Sequence, residues 1–184
     1  MRRLIPFALA LTVPVATTAA AETCPAAKDI AAAETALYRD IQQLPGGRGV
    51  NDYTVRLWEL WTMAPDARAQ AHLDAGMSAI RFGDFGRAEA ELDALIAYCP
   101  HYAEGYNQRA FAHYLQYEYA DALTLLDEAE KRAPRHTGVL TGKALTLINM
   151  GRSDDAQEPL RRAVRLNPWL SERALLVEPP GEDL

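Results

Sequence analysis

Proline recurs at Pro100, Pro134 and Pro168, one every 34 residues, the length of a single helix-turn-helix unit in proteins built from stacked helix pairs. A proline has no backbone N–H and its ring clashes with the preceding turn, so each marks a place where a helix has to stop. Counting back by the same offsets from each proline recovers an alanine at Ala88, Ala122 and Ala156 and a leucine at Leu92, Leu126 and Leu160. The two positions fall one helical turn apart on a single face. Gly76, Ala110 and Ala144 come earlier in each unit, small residues where the two helices of a pair must approach closely. This pattern predicts an all-α fold whose centre is three helix pairs over residues 67–100, 101–134 and 135–168.

The links inside the pairs are Gly83-Asp84-Phe85, Tyr117-Glu118-Tyr119 and Gly151-Arg152-Ser153. Gly83 and Gly151 suit a left-handed helix C-terminus, so Tyr117 predicts the more strained turn. Together with the run Ala103-Glu104-Gly105-Tyr106-Asn107 through Tyr119, Ala122, Leu126, Ala129 and Pro134, these residues resemble the tetratricopeptide repeat family over residues 69–168. Arg109 and Lys143 stand where the family usually has Leu, and His113 where it favours Tyr, departures that predict weaker core packing in the later first helices. The resemblance implies a right-handed α-solenoid whose concave face is lined by the first helix of each pair. Carried over residue by residue, that face presents Leu73, Met77, Ile80 and Arg81, then Asn107, Phe111, Tyr114 and Leu115, then Thr141, Leu145, Ile148 and Asn149. Two readings of this mainly apolar face stand side by side: a groove for a partner, or packing against neighbouring helices. The lysine and asparagine set that grips a peptide C-terminal carboxylate in chaperone-binding members is missing, with Arg81 the one cation in the set. An amphipathic helix or extended apolar segment is the expected ligand.

Outside the repeats, Ile30, Leu37, Ile41 and Leu44 lie at helical spacing, Pro45-Gly46-Gly47-Arg48-Gly49 ends that helix, and Asn51 is a plausible N-cap for a second helix with Val55, Trp58 and Trp61. Residues 22–66 thus predict a degenerate helix pair closing the apolar end of the stack, since an uncapped solenoid is poorly soluble. Ser171 to Val177 reads as a short C-terminal capping helix with Leu175 and Leu176 over the last repeat, followed by an acidic tail, so that 169–184 closes the chain. With Leu57-Trp58-Glu59-Leu60-Trp61 and Pro134-Arg135-His136, this order is similar to a group of short exported tetratricopeptide proteins of proteobacteria, from which no activity carries over.

Arg2 and Arg3, the apolar stretch Leu4 to Val15 and the small-residue run ending Ala19-Ala20-Ala21 follow the order of a secretory signal peptide over residues 1–21, with cleavage after Ala21. The expected product is periplasmic or secreted, without membrane insertion after cleavage. Cys24 lies where a lipoprotein cysteine would, but Glu22-Thr23 are wrong for that processing. Cys24 and Cys99 are the two cysteines, in a compartment that tolerates a disulfide between them. The chain has 19 basic and 25 acidic residues, a formal charge of −6, and no clustered Lys or Arg run, which argues against a nonspecific phosphate-binding role and hence against nucleic acid.

Catalytic motifs are missing from the sequence: it has no H-E-x-x-H, C-x-x-C, G-x-S-x-G or phosphate-binding glycine loop. His72, His101, His113 and His136 fall on different elements, and Glu89, Glu91, Asp127 and Glu128 follow helical faces as solvated charge. No catalytic residue, metal or cofactor is expected. The leading function is a non-catalytic scaffold or adaptor in the bacterial envelope that holds a peptide or helix on the concave face. A subunit or regulator of an envelope enzyme complex, docking through Trp58, Trp61 and the acidic tail, is the alternative, and a thiol oxidoreductase using Cys24 and Cys99 the remote one.

Overall fold

In the computed structural model the described residues are 23–177; the expected signal segment and the acidic tail lie outside them. The three pairs are α3 (Ala67–Arg81) with α4 (Phe85–Tyr98), α5 (Ala103–Leu115) with α6 (Tyr119–Arg132), and α7 (Thr137–Asn149) with α8 (Ser153–Leu166). They follow α1 (Ala31–Gln42) and α2 (Val50–Trp61), and a 3₁₀ turn at Ser171–Leu175 comes last. Among the described residues there is no strand, and no helix is long and apolar enough to cross a membrane.

Helices pair where a small residue faces a leucine. A Cβ on Gly76 would lie 2.7 Å from the Leu92 side chain, which is itself wholly buried. Ala110 with Leu126 and Ala144 with Leu160 repeat the arrangement in the second and third units. Gly83 and Gly151 both turn at φ 74°, while Tyr117 makes the equivalent turn at φ 65°, a conformation that costs an L-residue roughly 1–2 kcal/mol.

Arg109 and Lys143 do not weaken the core as their place in the repeat suggests. Each reaches sideways to the second helix of the preceding unit, Arg109 to Asp93 at 2.8 Å and Lys143 to Asp127 and Glu130 at 2.7 Å. Arg162 of the third unit also pairs with Glu130. Neighbouring units are therefore joined by ion pairs where the family places apolar contacts. Glu91 and Glu128 are likewise paired, with His72 and with Lys131 and Arg132, so these carboxylates are not simply solvated charge.

The N-terminal hairpin departs most from expectation. It is not stacked as a fourth pair against the first repeat but lies across the connections between repeats. The Tyr38 hydroxyl donates to the Arg135 carbonyl at 2.6 Å, the Gln42 amide to the Arg165 carbonyl at 2.8 Å, and the Trp169 indole N–H to the Ile41 carbonyl at 3.1 Å. Leu37, Tyr38, Ile41, Leu57 and Trp61 form a small core that takes in Leu166 and Trp169. A disulfide between Cys24 and Cys99, with α-carbons 5.2 Å apart, ties the start of this strap to the end of the first repeat.

Local details at the ends also differ from the sequence reading. Helix α2 starts at Val50 with Gly49 in the left-handed conformation before it, which leaves Asn51 inside the helix and not capping it. Ser171–Leu175 is a 3₁₀ turn; Leu176 packs on the last repeat, but Leu175 is exposed. The Gln157 side chain holds this segment, accepting from the Val177 N–H at 2.8 Å.

At the centre of the strap Trp61 stacks on His136, ring centroids 3.6 Å apart, and donates its indole N–H to Glu34 at 3.1 Å. His136 Nδ1 accepts from the Val139 N–H and so caps α7, which makes Nε2–H the donor to Glu104 at 3.0 Å. Glu104, fully buried, also accepts from Gln108 at 2.6 Å and from Asn107. Tyr102 donates to the Trp61 carbonyl at 2.7 Å. Burial pushes the Tyr38 and Tyr102 phenols well above the ordinary tyrosine range, so both remain O–H donors at any pH the fold survives.

Two measurements check this packing. Gly76→Ala should destabilise by about 1–3 kcal/mol through the clash with Leu92, whereas Gly86→Ala, in helix α4 with open space around it, should stabilise by about 0.5–1 kcal/mol. Urea melts of the two variants are expected to move in opposite directions, and parallel shifts would contradict the packing. Trp61→Ala should free the hairpin, exposing the 62–66 connection to limited proteolysis (visible on reducing gels) while the repeats keep their helicity; an unchanged cleavage pattern would argue against the strap.

Candidate functional site: an apolar cleft between helices α5 and α7

Helices α5 and α7 lie side by side as the first helices of consecutive pairs, and the strap carries α2 across them. Between them opens a cleft of about 420 Å³, lined by Asn107, Gln108, Ala110, Phe111 and Tyr114 of α5, Gly138, Thr141, Gly142, Leu145 and Thr146 of α7, Leu126 of α6, and Trp58 of α2. No lining residue carries a charge. Its floor is low because α7 presents Gly138 and Gly142 one turn apart, and its walls are aromatic. Trp58 is 41% exposed and Phe111 47%, large apolar surfaces left open to solvent beside a cavity.

Polar atoms are sparse and held in place. The Asn149 amide donates to the Tyr114 hydroxyl at 3.0 Å and to the Leu145 carbonyl at 2.8 Å, which fixes the Tyr114 ring at the rim. Asn107 is turned toward Glu104, 3.2 Å away. The Thr146 hydroxyl donates to the Gly142 carbonyl at 2.8 Å. The cleft can therefore shed water from an apolar side chain and offers few groups for chemistry.

Of the twelve residues carried over from the repeat family, Asn107, Phe111, Tyr114, Thr141 and Leu145 line the cleft. Arg81, Leu115 and Asn149 are exposed but not among the lining residues. Leu73 and Ile80 are buried, and Met77 packs against the same core. These three flank Gly76 on the face turned to Leu92 and are no partner surface, so the first repeat contributes no wall to the cleft. Ile148 is half-buried against the third-repeat core.

The sequence reading did not foresee Trp58 as a wall, because that depends on where the strap lands. Trp61, its partner in the alternative docking surface, is buried on His136 and unavailable to a second protein. The other histidines pair with glutamates or stay at the surface: His72 sits 2.9 Å from Glu91, His113 2.6 Å from Glu118, and His101 is exposed.

No family model matches the chain. It is 34% identical over 111 residues to human Tetratricopeptide repeat protein 36, a match covering 57% of this chain and 58% of that protein, so the chain spans less than two thirds of this relative. Among solved structures it is similar to the first tetratricopeptide domain of Spaghetti bound to an Hsp90 peptide, with a TM-score of 0.56 at 16% identity over 58% of this chain and 87% of that one. The TPR2B domain of yeast Sti1 in complex with pHsp70 gives a TM-score of 0.55 at 22% identity, covering 60% and 91% of the two chains. An Arabidopsis OM64 domain gives 0.55 at 17% identity over 58% and 93%. With its three helix pairs at a 34-residue period, the chain has the fold of these tetratricopeptide-repeat domains.

Proposed function

We propose that this protein is a non-catalytic adaptor that holds an apolar peptide segment or the apolar face of a helix in the α5–α7 cleft. The observation that carries the reading is the uncharged, aromatic-walled cavity between Trp58, Phe111, Tyr114 and Leu145. Burying one large apolar side chain there contributes about 1.5–3 kcal/mol, and aromatic anchors of this kind concentrate binding energy in a few contacts. The solved relatives in complex with an Hsp90 peptide and with pHsp70 support peptide holding as a use of this fold. Their ligands do not transfer, since the cleft here has no cation to meet an acidic peptide end.

The setting we infer is the envelope of a bacterium or the space outside it. Its support is the signal-like order of residues 1–21 and the Cys24–Cys99 disulfide, a bond that persists in oxidising compartments.

Binding of fluorescently labelled amphipathic peptides tests the cleft. Phe111→Ser and Tyr114→Ser should each weaken binding on the order of thirtyfold, the equivalent of about 2 kcal/mol, with the helical circular dichroism unchanged. Arg81→Ala should leave binding as it was. Wild-type affinity in the Phe111→Ser, Tyr114→Ser double variant would refute the assignment. For the setting, N-terminal sequencing of the protein recovered from a secreting host should begin at Glu22, and recovery with Met1 intact would contradict export.

A further inference from the structure

A second site lies on another edge of the molecule, where the turn of the second pair meets the first. Glu89 of α4, His113 of α5 and Glu118, which precedes α6, bring one ligand atom each to within 4.8 Å of one another. They come from three elements and are assembled only by the stacking of one pair on the next. From these residues we infer a site for a divalent first-row transition ion of the zinc class.

The chemistry selects the ion. Imidazole favours zinc-like ions over calcium and magnesium, which prefer oxygen alone. Three protein ligands and a fourth position left to water is a common zinc arrangement. Two ligands of one tetrahedral zinc, each at about 2.1 Å, stand roughly 3.4 Å apart. His113 Nδ1 and Glu118 Oε2 are 2.6 Å apart, so they must open slightly while Glu89 closes in. Glu118 can supply that movement because its side chain is half exposed and caps no helix. The His113 side chain is mostly buried, which holds the imidazole in place.

Charge supports the same assignment. Among the described residues neither Glu89 nor Glu118 has a Lys or Arg partner; Glu118 faces His113, and Glu89 accepts from the Gln116 amide at 3.2 Å. Gln116 also donates to the Ala112 carbonyl, so an amide anchored on α5 holds the Glu89 carboxylate, the role that outer partners play for metal-binding carboxylates. A dication would offset two neighbouring carboxylates, one of which faces the imidazole and the other only a neutral amide. The other histidine–glutamate pairs lack this convergence: His72 meets Glu91 alone, and the His136 ring nitrogens are both engaged, with Val139 and Glu104. The cysteines are bonded to each other and do not compete.

Zinc titration of the untagged protein, stripped with EDTA and kept free of reductant, tests the inference by calorimetry. The wild type should take up one Zn²⁺ per chain and melt at a higher temperature with it. His113→Gln, Glu118→Gln and Glu89→Gln should each weaken uptake by roughly tenfold or more, and His101→Asn and His72→Asn should match the wild type. Melts in EDTA show whether a variant is folded; should His113→Gln unfold, the exposed Glu118→Gln decides. No saturable uptake by the wild type, wild-type affinity in Glu118→Gln, or loss of uptake in His101→Asn would overturn the site.

Discussion

Close approach of the two helices within each pair is the constraint on which everything else rests. A leucine on the second helix drops into the space left by a small residue on the first, Leu92 against Gly76 and its counterparts one and two repeats later. That contact sets the distance between paired helices and hence the direction in which the next pair is launched. Because each unit buries its apolar face only against a neighbour, the stack is stable as a row and not as separate pairs. The ion pairs of Arg109 and Lys143 act on the next level up, holding one pair to the next.

The strap turns that row into a molecule with a defined cavity. Its helices build a small core of their own that takes in Leu166 and Trp169, and they hold on as well through hydrogen bonds to backbone carbonyls at the repeat junctions and through the Trp61–His136 stack. One histidine serves three neighbours there: it caps α7, donates to the buried Glu104 carboxylate and supports the indole. A buried carboxylate left unpaired is costly, so Glu104 with its ring of donors from His136, Gln108 and Asn107 fixes the local geometry of α5 and α7 together. The same two helices form the floor of the cleft, and Trp58, three residues before Trp61, is carried to its rim.

Much of the repeat architecture was readable from spacing. The prolines, the alanine and leucine offsets and the Tyr117 turn are local features, and local periodicity reports local structure well. Contacts that join residues far apart were not readable. Tyr38 meets Thr137 across 99 positions, and nothing in either segment announces the other. A helix pair before the repeats looks the same in sequence whether it caps the stack or lies along it, so sequence does not announce Trp58 as a wall; nor does it show that Leu73 faces Leu92 and not a partner. Arg109 and Lys143 hide for a related reason: a long cationic side chain in an apolar register can reach past the core to a carboxylate on the adjoining unit. Glu89, His113 and Glu118 likewise come together only once two pairs have stacked.

Where the N-terminal hairpin lies is the point on which the cleft, its rim and the reading as a peptide holder turn. Spin labels placed on the exposed positions Gln43 and Arg165 and read by pulsed dipolar spectroscopy address it directly. A hairpin folded back to the third repeat gives a single narrow distribution at the short end of the range. A broad distribution, or one centred near the length of the three-repeat stack, would place the hairpin at the first repeat and contradict the account.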